Sequence, residues 1–143
     1  MGQRPLAIDV TIRDLATDRE LSEAVSLQKM VWQFDDRDVV TEKMMLSCNR
    51  AGGLTLGAFS RDGRILGFLF GFPAWAGGFE FHHSHMLAIH PRVRDAGIGT
   101  RLKQVQRERA RQRVPLITWT YDPLEARNAH LNFNKLGVVV RRY

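Results

Sequence analysis

The sequence is poor in the residues that build disulfide frameworks, metal clusters and membrane anchors. Cysteine occurs once, at Cys48. No internal disulfide can form, and a thiolate zinc cluster, which takes several cysteines or histidines at short spacing, is excluded. A reducing, cytoplasmic setting fits that composition. No apolar run approaches the roughly 20 residues of a membrane-spanning helix, and Met1 to Asp9 lacks the charged, apolar and small-residue regions of a signal peptide. Neither secretion nor membrane insertion is expected. Internal repeats, low-complexity tracts and linkers are missing too. With 143 residues, 44% hydrophobic and 25% charged, the chain reads as one domain over residues 1–143 with a single sizeable core.

What is abundant is positive charge. The 21 basic and 15 acidic residues leave +6. The excess is concentrated between 92 and 113, where Arg92, Arg94, Arg101, Lys103, Arg107, Arg109, Arg111 and Arg113 face only Asp95 and Glu108. An anionic visitor to this region is expected. Nucleic acid is a poor candidate, because Arg107, Arg109, Arg111 and Arg113 step by two along a helix and scatter around it.

Periodicity gives the organisation. Ile8, Val10 and Ile12 alternate as a strand over about 7–13, and Leu21, Ala24, Val25, Gln28, Val31 and Trp32 recur at helical steps from Asp18 to near Phe34. Thr41 opens a second helix that Ala51-Gly52-Gly53 stops. Asp62-Gly63 between Leu54–Ser60 and Ile65–Phe72 marks a hairpin, since Gly after Asp supplies the positive φ of tight turns. Pro73 to Gly78 reads as a further turn, Phe79 to Ile89 as a strand, and Gly97 to about Arg111 as a helix with a thin apolar stripe of Ile98, Leu102 and Val105. Leu116 to Tyr121 is a strand, Ala126 to Leu136 a helix closed by Gly137, and Val138 to Tyr143 begins another strand. The order predicts a mixed α/β sheet covered by helices.

Ile89 to Gly99 joins a strand to a helix, so its backbone amides converge at a helix N-terminus and suit an anion. Gly97 and Gly99 remove the Cβ atoms that would hold a phosphate away, and Arg94 and Arg101 offer charge. No Gly-Lys-Ser/Thr follows and the first glycine of Gly-x-Gly-x-x-Gly is missing, which excludes a Walker loop and a dinucleotide fingerprint. The same residues also suit a tight turn with no ligand.

Ile89, Pro91, Arg94, Gly97 and Gly99 reproduce an apolar strand ending Ile-x-Pro followed by Arg-x-x-Gly-x-Gly opening a helix. In this the chain resembles the GNAT superfamily of acetyl-coenzyme A-dependent N-acetyltransferases, and Asn128-Ala129 with Lys135-Leu136-Gly137 look like the family's last helix. The resemblance implies a mostly antiparallel, twisted sheet flanked by helices, with a splayed parallel strand pair holding acetyl-CoA. It implies that backbone groups of Leu87, Ala88 and Ile89 pair with the pantetheine arm, and that amides from Asp95 through Ala96, Gly97, Ile98 and Gly99 to Thr100 hold the diphosphate. Asn128 touches the cofactor in this reading, although it stands two positions nearer the closing glycine than the family's usual asparagine. The implied activity is direct attack of an unidentified small-molecule or peptide amine on the thioester.

Such a transfer needs a base for the amine, a donor for the developing oxyanion and a proton for the thiolate. The oxyanion donor would be the backbone N–H of Ile89. Strand alternation puts His83 and His85 on one face with Leu87 and Ile89, and His82 on the other with Glu80, an alternative base. Imidazoles titrating near 6.5 suit proton removal, so His83 and His85 are the candidate bases. The run His83-x-His85-x-Leu87-Ala88-Ile89-His90 is similar to the corresponding strand of the arylalkylamine branch, which implies the same roles. The alternative is a hydrogen-bonded or surface set that only shapes a pocket; consecutive strand histidines cannot converge on a zinc ion. Phe133 stands where the resemblance implies a tyrosine acid, leaving Tyr121 or Tyr143 as substitutes, an unassisted thiolate, or a silent acyl-CoA-binding module. Trp75, Phe79 and Phe81 either line an acceptor pocket or pack in the core. Trp32 and Trp119 read as core, and Cys48 as a small hydrophobe. The family normally carries two strands after its last helix where this chain has one, which predicts a homodimer by strand exchange or a longer parent protein.

Overall fold

The computed structural model describes residues 8–120. Along them run β1 (Thr11–Asp14), α1 (Asp18–Trp32), α2 (Glu42–Arg50), β2 (Leu54–Phe59), β3 (Ile65–Ala76), β4 (Phe79–Ile89), a 3-10 turn at Pro91–Val93, α3 (Ile98–Ala110) and β5 (Ile117–Thr118). The five strands lie in chain order, antiparallel except for the parallel β4–β5 pair. This is the mixed, mostly antiparallel α/β sheet that the sequence predicts. The expected helix at 126–137, the strand from Val138, and Tyr121, Asn128, Phe133 and Tyr143 lie outside the described residues.

Local chemistry explains the helix ends. Thr17 caps α1 by accepting from the Glu20 amide, and the Glu20 carboxylate returns to the Thr17 N–H, a reciprocal box. Thr41 accepts from the Met44 amide at the start of α2, as its position predicted. The buried Gln28 amide both donates to and accepts from the backbone of Val40, which fixes the connection between the two helices.

Two apolar layers sandwich the sheet. On one face Leu21, Ala24 and Leu27 of α1 and Met45 of α2 pack on Phe68, Phe70 and Ala88. On the other, Ile98 and Leu102 of α3 pack on Leu56, Leu69, Leu87 and Ile89.

The structure corrects three boundaries. β1 is displaced toward Asp14, because its pairing with β2 spans only Thr11 to Asp14. β3 continues through the expected turn to Ala76, and Gly77-Gly78 makes the reversal. Proline is tolerated at 73 because β2 pairing ends at Gly71, leaving that side of β3 without a ladder to break. α1 stops at Trp32, where Gln33 turns left-handed.

A fourth correction concerns β4. Phe70 pairs with Met86 and Gly71 with Ser84, so His85 is an extra residue in the ladder, a β-bulge. The bulge reverses the alternation. His83 and His85 lie with Phe70 and Phe72 on the α1/α2 face, whereas Leu87 and Ile89 lie under α3. The expected shared face of His83, His85, Leu87 and Ile89 does not exist.

Candidate functional site

β4 leaves the sheet at Ile89, and Pro91–Val93 carries the chain to the start of α3. Asp95 and Gly97 both take left-handed backbone conformations, with φ of 66° and 81°. Gly97 is the N-cap and supplies no side chain to the first turn, so the leading amides of α3 keep their hydrogen-bonding capacity. A Cβ built on Gly97 would meet no atom within 4 Å, so the space before the helix is open. Gly99 backs onto Leu87 and Ile89 at 3.6 and 3.8 Å from its ideal Cβ, which seats the helix on the strand. Arg94 is exposed at this turn, and Arg101 reaches the Val10 carbonyl at 3.1 Å.

Leu87, Ala88 and Ile89 pair on one side with Leu69, Phe68 and Gly67. On the other side β4 meets β5 only at His82 with Ile117 and His83 with Thr118. From Ser84 onward the outer edge of β4 has no strand partner among the described residues. Two parallel strands therefore part immediately beside the bulge.

The family model for the acetyltransferase (GNAT) family matches residues 14–137. The chain belongs to the GNAT acetyltransferase family. Among solved structures, it resembles an aminoglycoside 6'-N-acetyltransferase from Acinetobacter baumannii with TM-score 0.74 and 18% identity, covering 94% of both chains. It resembles a transcriptional regulator from Bacillus halodurans with TM-score 0.71 and 24% identity over 94% of this chain and 96% of that one. An aminoglycoside acetyltransferase from an uncultured soil metagenomic sample, solved with sisomicin, gives 0.70 and 15% over 94% of each. At these identities the likeness is one of fold. No curated protein matches the chain.

In this GNAT fold the two faces of β4 differ sharply. On the α1/α2 face His83 and His85 have ring centroids 6.2 Å apart, each about 5.5–6 Å from Phe72. His83 Nδ1 lies 2.9 Å from the Thr118 hydroxyl, and burial, then the neighbouring His85 and Lys103, hold its pKa below the ordinary value. His85 lines a cavity of about 470 Å³ with Val39, Val40, Met44, Cys48 and Phe72.

On the α3 face the environment is closed and polar. His82, 5% exposed, accepts at Nε2 from the Gln106 amide at 3.0 Å, and burial followed by Lys103 pushes its pKa down to about 4. Lys103, 8% exposed, donates to Ser84 Oγ at 2.7 Å and sits 4.4 Å over the Trp119 ring, with burial lowering its pKa to about 8.

Sequence reasoning missed Lys103, Gln106 and Ser84. A signal existed, because Gly99, Lys103, Gln106 and Ala110 recur at i, i+4, i+7 and i+11, a second inward line beside the apolar stripe. Trp75 and Phe79, expected in a pocket or the core, are instead 75% and 72% exposed near the tip of the β3–β4 hairpin, beside the exposed Glu80. Cys48 packs against the core as a small hydrophobe. Among the described residues no three metal-ligating side chains converge, and no helix is long and apolar enough to cross a membrane.

Proposed function

We propose that the chain is an N-acetyltransferase that moves the acetyl group of acetyl-CoA to a primary amine by direct attack within a complex of both substrates. The observation that carries this reading is the junction of β4 and α3: a strand edge that from Ser84 has no strand partner among the described residues leads into a helix capped by a left-handed glycine with open space before it. The residues present fit acetyl-CoA. Leu87 and Ile89 turn their backbone groups to that edge, for the amides of the pantetheine arm, while Ala88 between them bonds back to Phe68 of β3. The amides from Asp95 to Thr100 offer donors to the diphosphate, with Arg94 beside them.

The acceptor amine enters the cavity beneath α2, where His85 meets it and His83 stands behind. A neutral imidazole takes the ammonium proton, freeing the lone pair for attack on the acetyl carbon. His83 is suited to this because burial keeps it unprotonated near neutral pH and Thr118 fixes its ring.

Calorimetric titration of acetyl-CoA and CoA into the full chain, followed by an amine screen read as thiol release, tests the reading. Binding and turnover support it. Binding with no turnover on any amine would leave an acyl-CoA-binding module, and a folded chain that binds neither ligand would overturn the site. Gly97→Val, whose side chain fills the space before the helix, is expected to abolish binding.

A further inference from the structure

We propose that Lys103 is the proton donor to the thiolate that leaves in this transfer, a role that rests on the N-acetyltransferase reading above. β4 and β5 pair through His83 and Thr118 and then separate, so Ser84 is the first residue of β4 past the fork and Trp119 the residue just after β5. The Lys103 amine bonds the first and covers the ring of the second. It therefore sits in the fork itself, on the α3 side. A thioester carried along the edge of β4 that has no strand partner among the described residues brings its sulfur to that fork, while the cavity, His83 and His85 lie on the opposite face. Attack and departure thus have separate sides.

The chemistry agrees with the position. No carboxylate among the described residues pairs with Lys103. Facing α3, β1 offers Asp14, which Arg109 occupies at 2.7 Å; β2 and β3 offer Leu56, Leu69 and Gly71; β4 offers His82 and Ser84. Among the described residues, the imidazole of His83, on the far face of β4, is the remaining nearby titratable group. Desolvation with no counter-charge favours loss of the proton, and an amine titrating at about 8 is matched to a thiol near 8.5. A purely structural residue would have no need of this cost, since an apolar chain of equal length would fill the same space.

The balance is simple. The imidazole passes the ammonium proton to solvent, the neutral amine nitrogen bonds the acetyl carbon, and the proton this nitrogen then sheds goes to the imidazole and on to solvent. The C–S bond breaks with its electron pair on sulfur. The Lys103 Nζ proton passes to sulfur, and the neutral amine regains a proton from solvent, leaving an amide and a free thiol.

The test reads the thiol of bound CoA by its ultraviolet thiolate band against a matched titration with desthio-coenzyme A, in the wild-type chain, Lys103→Met and Lys103→Arg. In the wild type the bound thiol is expected to ionise about one pH unit or more below free CoA, because an ammonium beside it favours the thiolate. Lys103→Met should bind CoA yet return the midpoint to the free value, and Lys103→Arg should keep the lowered midpoint. Both variants should lose turnover by about 10²-fold, since a guanidinium does not surrender its proton. Equal midpoints in wild type and Lys103→Met, or unchanged turnover in Lys103→Arg, would overturn the assignment. Failure of the wild type to bind CoA would instead remove the underlying reading, and the assignment with it.

Discussion

His82 and His83 are neighbours in sequence and occupy opposite environments. His82 is sealed under α3 with Gln106 and held neutral far below its ordinary titration range. His83 stands on the other face with Phe72, His85 and Thr118, beside a cavity a small molecule can enter. One step of strand alternation separates them. Residue type alone does not assign a role here: one histidine is a buried acceptor, and the other is the base proposed above.

Removing the imidazoles of the open face is expected to have the largest effect. His83→Ala with His85→Ala is expected to lower turnover about 10²–10³-fold while leaving the calorimetric affinity for CoA unchanged, because neither side chain is needed along the cofactor edge. Equal loss of affinity and turnover would mean that the pair shapes the strand and does no proton chemistry.

On the sealed face the most damaging change is the smallest. A Cβ on Gly71 would overlap the His82 ring and stand 2.9 Å from both the Gln106 amide and the His83 carbonyl. The carbonyl is backbone and cannot swing away. Gly71→Ala is expected to cost about 2–3 kcal/mol in denaturant unfolding, as overpacking of a filled interior does. Loss below about 0.5 kcal/mol would show that the His82–Gln106 pair is loosely held.

These positions also mark where sequence reading succeeds and where it ends. The Thr41 cap, the Asp62-Gly63 hairpin and the Gly97 turn were legible because each is decided within a few residues by dihedral preference or a local hydrogen bond. The bulge at His85 was not, since it arises from how β4 registers against β3, and alternation counted along one strand assumes an unbroken ladder. Lys103 reads in the sequence as one more cation of a region expected to meet an anion, because its burial depends on how α3 rolls over β4 and on Trp119 arriving from β5. Charge identifies the residue type; tertiary contact decides that it is enclosed.

The mildest probe compares the two titratable groups within the sealed face. Lys103 has a folded pKa of about 8 against 10.5 unfolded, so between those values the unfolded chain binds the extra proton and stability rises with pH. His82, at about 4 against 6.5, gives the mirror window: stability falls as pH drops from 6.5 toward 4, where the unfolded imidazole charges first. Lys103→Met should abolish the alkaline rise and stabilise the chain at pH 7 by about 1 kcal/mol, the relief of desolvation being partly offset by the lost bond to Ser84. It should also raise the His82 midpoint, because the lysine charge is the second cause of its depression. Imidazole proton resonances followed through the titration, beside urea unfolding at each pH, read both effects. A His82 midpoint indifferent to the substitution would mean that the amine and the imidazole are screened from one another, and that the sealed face is two separate polar contacts rather than one coupled network.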